Sequence, residues 1–132
     1  MDTSVQFSQP ASRGGSEEWP TLRLYQRERG KQFFSVADLV CLQSETNYTW
    51  LNWKDGERML MPRTLKFYEP KLPTQFFFRL HRNCLVNARY ISGFERDQTG
   101  VYVLLTTGLR LLISRRRWSA IKKMMDAYTE MN

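Results

Sequence analysis

From Thr21 onward, apolar and polar residues fall into short runs, broken at Arg29-Gly30, Asp55-Gly56, Thr99-Gly100 and Thr107-Gly108. A glycine in such a pair supplies the positive φ that tight hairpins need. The runs between these signals are rich in β-branched and aromatic residues: 22–26, 32–36, 39–43, 48–53, 58–61, 76–80, 90–96, 101–106 and 109–113. Several strands at short spacing predict an all-β body. In the last run Leu109, Leu111 and Ile113 share one face, and Arg110, Leu112 and Ser114 the other. Residues 101–105 are apolar on both faces, which predicts a strand covered on both sides and hence more than one layer.

Two stretches depart from the two-residue period. Thr64 can cap a helix that runs into Glu69, and Pro70 should keep that helix, near 64–70, short. From Arg115 to about Thr129, Trp118, Ile121, Met125 and Tyr128 recur three or four apart, with Met124 beside them. That stripe predicts a C-terminal helix near 115–129 with one face on the core and Ser114 as its N-cap. Residues 1–20, rich in Ser, Gln, Gly and Pro, show no period and read as a flexible N-terminal tail before a domain at 21–132.

The chain has 132 residues, which suits one domain, and 42% of them are apolar, enough for a core. No apolar run approaches the roughly 20 residues of a membrane span, and no basic-then-apolar leader opens the chain. The expectation is a cytoplasmic protein with no direct membrane insertion. Cys41 and Cys84 sit in apolar segments and are expected to be buried thiols.

Charge sharpens the picture. Twenty Lys and Arg against 13 Asp and Glu give +7, and the first 20 residues (Arg13 against Asp2, Glu17 and Glu18) hold −2 of it. The remainder therefore carries +9, with six cations and no acid between Arg110 and Lys123. Three of them, Arg115, Arg116 and Arg117, would occupy the first turn of the C-terminal helix, where the macrodipole disfavours each by roughly 0.3–1 kcal/mol. Arginine forks beside free helix amides suit phosphate oxygens, and arginine also reads guanine in the DNA major groove. A second cluster, Arg79-Leu80-His81-Arg82-Asn83, follows the aromatic run Phe76-Phe77-Phe78, and a third is Thr46-Asn47-Tyr48. Both could serve a nucleic-acid backbone or base edges; Asn47 could equally hold a turn.

Catalytic chemistry is not suggested. One histidine and two cysteines at no ligand spacing make no metal site, and the glycines form no phosphate loop. His81 and Cys84, three apart on one strand, would face opposite ways. The expectation is no enzyme and no cofactor.

The ordered set Asn47-Tyr48, Arg63-Thr64-Leu65-Lys66, Phe78-Arg79-Leu80-His81-Arg82-Asn83, Leu85-Val86-Asn87, Ile91, Gly108 and Ser114-Arg115-Arg116 resembles the LytTR-type DNA-binding domain of bacterial response regulators. The resemblance covers residues 22–128. It implies an all-β fold with minor α: about ten short strands in three small antiparallel sheets, with one or two short helices. It also implies double-stranded DNA as partner, read by loops in successive major grooves at repeated half-sites, with bending. The implied base contacts are Asn47, Tyr48, Arg82 and Arg116. The implied phosphate contacts are Arg63, Thr64, Arg79, His81, Asn83, Ser114, Arg115 and Arg117. Two positions depart from the family, which usually shows Ser and an aromatic where this chain has Asn83 and Cys84. Only a 20-residue tail precedes the domain, so the expectation is a stand-alone regulator without a receiver domain. A homodimer on DNA and a regulatory protein partner are further expectations, and a protein-interaction module with a membrane-bound or regulator partner is the alternative.

Overall fold

A computed structural model describes residues 19–131. Ten strands and two helices run in the order β1 (Thr21–Gln26), β2 (Gly30–Ser35), β3 (Leu39–Glu45), β4 (Tyr48–Trp53), β5 (Arg58–Met61), α1 (Leu65–Tyr68), β6 (Phe77–His81), β7 (Cys84–Asn87), β8 (Ile91–Asp97), β9 (Gly100–Leu105), β10 (Arg110–Ile113) and α2 (Arg115–Met131). They form three antiparallel sheets: the β1–β2 hairpin, a five-stranded sheet of order β5-β4-β3-β7-β6, and a three-stranded sheet of order β10-β9-β8.

Burial explains the layering. Leu39, Leu42, Leu51, Phe77 and Leu85 face a core shared with Leu22 and Leu24 of the hairpin and Leu65 and Tyr68 of α1. Cys41, Phe78, Leu80, Cys84 and Val86 face a second core with Val103, Leu111 and Ile113 and with Ile121, Met125 and Tyr128 of α2. The five-stranded sheet is thus the middle layer. All four residues of β7 are buried, as are the first four of β3.

This moves one expectation. The strand covered on both faces is not residues 101–105: in β9 only Val103 and Leu105 are buried, while Tyr102 and Leu104 are half-exposed. Their face is the outside of a two-sided stack, and Arg110 lies over the Tyr102 ring at 3.5 Å. Leu109 falls outside β10 and is exposed, and its carbonyl accepts from the Leu105 N–H across the turn. β7 escapes the two-residue period because both its faces are buried.

Elsewhere the pattern holds. The four turn glycines all adopt positive φ, and at Gly100 a Cβ would also meet Leu112 Cδ1 at 3.1 Å. The α2 stripe buries Ile121, Met125 and Tyr128, with Trp118 edge-on to Phe94 at 5.3 Å. The first helix is a single turn continued by a 3₁₀ turn, Glu69–Lys71. Thr64 precedes it with extended backbone but makes no side-chain cap bond; it is its carbonyl that accepts from Phe67 N–H. The expected tail, 1–20, lies outside the described residues up to 18. Trp19 and Pro20 belong to the fold: Trp19 stacks on Phe76 at 4.5 Å, and the Pro20 carbonyl accepts from Val36 N–H. Among the described residues no helix is long and apolar enough to cross a membrane.

The junction of the sheets is pinned by polar groups. Asn87, fully buried, donates to the Leu39 carbonyl at 3.0 Å and accepts from Arg89 N–H at 3.0 Å. The Tyr90 hydroxyl donates to the Ala37 carbonyl at 2.6 Å. Replacing Asn87 by Ala leaves a buried carbonyl and N–H without these bonds, so Asn87→Ala should cost about 1–3 kcal/mol in urea unfolding. A loss below about 0.5 kcal/mol would show that water replaces the side chain there.

Candidate nucleic-acid interface

The registers bring distant parts of the chain to one end of the middle sheet. Glu45 pairs with Tyr48, so the β3–β4 turn is Thr46-Asn47. Gln43 pairs with Cys84 and Cys84 with His81, which puts the β6–β7 turn, Arg82-Asn83, at the same end. Thr49 pairs with Met61, so β5 delivers Arg63 and Thr64 there too. Ser114 N–H donates to the Leu80 carbonyl at 2.9 Å, which ties the start of α2 to the end of β6. Across this edge run Arg63, the 46–48 turn, Asn83, Arg82, His81 and Arg115 to Arg117. The edge therefore assembles four sequence segments that are far apart in the chain.

Most of these side chains face solvent. Asn47, Tyr48, Arg63, Thr64, Arg82, Asn83, Arg115, Arg116 and Arg117 are exposed, while His81 and Ser114 are half-buried. Among the described residues no carboxylate pairs with the arginines of this set. Their supports are local. The Thr49 hydroxyl, wholly buried, donates to the Arg63 carbonyl at 2.7 Å and fixes the exit of β5. Ser44 joins the two central turns: its N–H donates to the Asn83 carbonyl at 2.9 Å and its hydroxyl to Asn83 Oδ1 at 3.0 Å. Asn83 thus holds the two turns together. Trp50 Nε1 donates to Glu45 Oε1 at 2.7 Å, holding the acid beside the turn.

Thr46 has a φ of +54°, the one positive value among the described non-glycine residues. A β-branched residue in the left-handed region is strained, and such strain persists where the surroundings over-determine the backbone. The sequence gives no hint of it, since the glycine that ordinarily signals such a turn is missing.

His81 accepts a hydrogen bond at Nδ1 from Asn83 N–H at 3.2 Å, which leaves Nε2–H as the remaining donor of the neutral ring. Partial burial, with the Arg117 and Arg79 guanidiniums nearby, holds its pKa below the ordinary 6.5. The ring is therefore neutral near pH 7 and still a donor.

Two expectations change. His81 and Cys84 are not on one strand; they face each other across the β6–β7 hairpin. Burial pushes the Cys84 thiol well up, so it is no nucleophile, and burial pushes Cys41 up to about 12. Both cysteines are free. Arg79 lies less open than its neighbours: it is 21% exposed and paired with Glu69 Oε1 at 3.2 Å. That partner, ten residues earlier, is brought in by the turn after α1. Absent from the sequence reading is Arg96, exposed beside the β8–β9 turn, which shares a shallow pocket with Arg115 and Trp118.

Residues 31–126 match the family model of the LytTr DNA-binding domain. The chain belongs to this family. Among curated proteins it is similar to the positive alginate biosynthesis regulatory protein of Pseudomonas aeruginosa, 28% identical over 123 residues, 90% of this chain and 48% of that one. It is also similar to the sensory transduction protein LytR of Staphylococcus saprophyticus, 39% identical over 62 residues, 46% of this chain and 24% of that one. The chain spans about half the length of the first relative it matches. Among solved structures, the LytTr DNA-binding domain of a Bacillus cereus response regulator superposes with a TM-score of 0.69 at 20% identity, covering 80% of this chain and 96% of that one. At that identity the superposition speaks for the fold alone. The LytTR family is not an enzyme family.

Two outcomes follow from the geometry. Above pH 6.5 His81 is neutral in both folded and unfolded chains; as pH falls, the unfolded chain takes up the proton first. Stability should therefore decline from about pH 6.5 through the lower folded pKa, and His81→Asn should remove that part of the decline in urea titrations at pH 7.5 and 5.5. An unchanged difference between the two pH values would place the dependence elsewhere. Thr46→Gly should stabilise the fold by about 0.5–1 kcal/mol, the released strain less the entropy of glycine. Destabilisation in the same assay would show that the turn does not store strain.

Proposed function

We propose that this chain is a sequence-specific transcription regulator that reads double-stranded DNA with the loop edge of its middle sheet. The observation that carries the reading is the alignment of the 46–48, 81–83 and 114–117 segments along one end of one sheet, in a chain of the LytTR DNA-binding domain family. Turns from adjacent strands can enter the major groove while the sheet behind them stays rigid. Arg82 and Arg116 are the forks suited to guanine O6 and N7, and Asn47 suits adenine N6 and N7. Tyr48, 46% exposed, offers a ring edge and a hydroxyl to the same groove.

Phosphate contacts fall to the exposed cations and small donors around these tips: Arg63, Thr64, Asn83, Ser114, Arg115 and Arg117, with His81 acting through Nε2–H. Arg79, held by Glu69, acts by supporting β6 under His81 more than by reaching a phosphate. Contacts to two successive grooves suit repeated half-sites one helical turn apart, and drawing both towards one edge bends the DNA. A homodimer on such a site, a cytoplasmic location and control by a regulatory protein belong to the same proposal. The two curated relatives are by name a regulatory and a sensory transduction protein, which supports it.

The reading has a salt signature. If about six phosphates are neutralised, log affinity should fall against log salt with a slope of about −5. Little salt dependence, or no duplex binding at low salt, would sink the reading. Arg116→Ala should weaken discrimination at one base position by about 1–3 kcal/mol in a binding assay across single-base variants of a selected duplex. An equal loss on selected and random duplexes would reassign Arg116 to the backbone.

A further inference from the structure

The β1–β2 hairpin pairs with itself and with no other strand among the described residues, so β1 has one open edge. That edge borders a groove of about 520 Å³ between the hairpin and the α1 region, which every residue of β1 from Thr21 to Tyr25 lines. The opposite wall carries Arg63, Phe67, Tyr68 and Lys71. Arg63 and Lys71 both sit over the Phe67 ring, each 4.7 Å from its centroid. With Arg23 on β1 itself, three cations and, among the described residues, no acid line the groove. None of the three is in an ion pair among the described residues. Tyr25 is 61% exposed at one end of the groove.

An open strand edge of this kind offers backbone N–H and C=O groups to a further strand. The two faces of β1 say which side chains such a strand would carry. Leu22 and Leu24 point to the core, and Thr21, Arg23 and Tyr25 are exposed. Cross-strand neighbours share a face, so an added strand would set apolar residues beside Leu22 and Leu24 and acidic ones beside Arg23. From the uncompensated cations and the open edge, we propose that this groove is a strand-addition site for an extended peptide of a partner protein, alternating acidic and apolar residues. A DNA backbone would use the cations but leave the strand edge and the apolar row unused. Of the three cations only Arg63 also belongs to the loop edge, so the proposal stands or falls apart from the DNA reading.

The test uses the full chain and a fluorescein-labelled hexapeptide alternating Glu and Val, titrated by anisotropy at low salt. Its controls are the Lys and Val counterpart and a Glu and Val peptide N-methylated at alternate residues, which cannot extend a ladder. Expected are saturable binding of the first peptide and at least a tenfold loss on N-methylation. At least a tenfold loss is also expected in the Arg23→Glu, Lys71→Glu double variant, with its duplex affinity little changed. No binding, or equal binding of the N-methylated peptide, would overturn the proposal. A tenfold loss of duplex affinity in the double variant with no loss of peptide binding would also overturn it, marking the groove as a DNA track. Both substituted residues are exposed, and thermal unfolding of the double variant checks that it folds.

Discussion

The structure depends on one constraint: residues 39–42 of β3 and 84–86 of β7 are apolar on both faces and must lie in the middle of the domain. A strand of this kind is stable only when each face meets another layer, so the five-stranded sheet cannot be an outer wall. The hairpin and α1 cover one side, and the three-stranded sheet with α2 covers the other. Every other element is placed by which of these two cores its apolar face can reach. Leu22 and Leu24 alternate with exposed residues and serve a single core; Ile121, Met125 and Tyr128 on α2 do the same for the other.

Burial on both sides also fixes register. A slip of one residue in β3 or β7 would exchange the contents of the two cores, so the turns at the strand ends stay where the pairing puts them. The end opposite the loop edge is fastened by Asn87, by Tyr90 and by the Trp19–Phe76 stack. The loop edge is joined by bonds from Ser44 to Asn83 and from Ser114 to Leu80. The strained Thr46 turn keeps its shape because its neighbours hold it.

Much of this architecture was legible in the chain. Hairpins showed themselves where a glycine had to supply positive φ, and α2 through a stripe of large apolar residues at helical spacing. β7 did not, because Cys84 to Asn87 are buried on both faces and show no alternation, and the turn before it, Arg82-Asn83, contains no glycine. Residues 101–105 misled for a related reason: Tyr102 and Leu104 are apolar, yet their face looks outward and is partly covered by the Arg110 guanidinium. Of the candidate site, the ordered residues along the chain suggested the loops. Only the registers show that four segments meet on one edge, since pairing between distant strands leaves no local trace. The tie between Arg79 and Glu69, the strain at Thr46 and the open edge of β1 depend on tertiary placement in the same way.

The central claim is that the loop edge faces the grooves. The direct measurement is cleavage of a selected duplex by an iron chelate tethered, in separate variants, at positions 47, 82 and 116, with position 109, beside the β9–β10 turn, as control. Discrete cuts are expected from the first three, those from 47 and 116 displaced along the duplex in opposite directions from those at 82, and background from 109. Cuts from 109 as strong as those from 82 and 116 would show that another face meets the DNA.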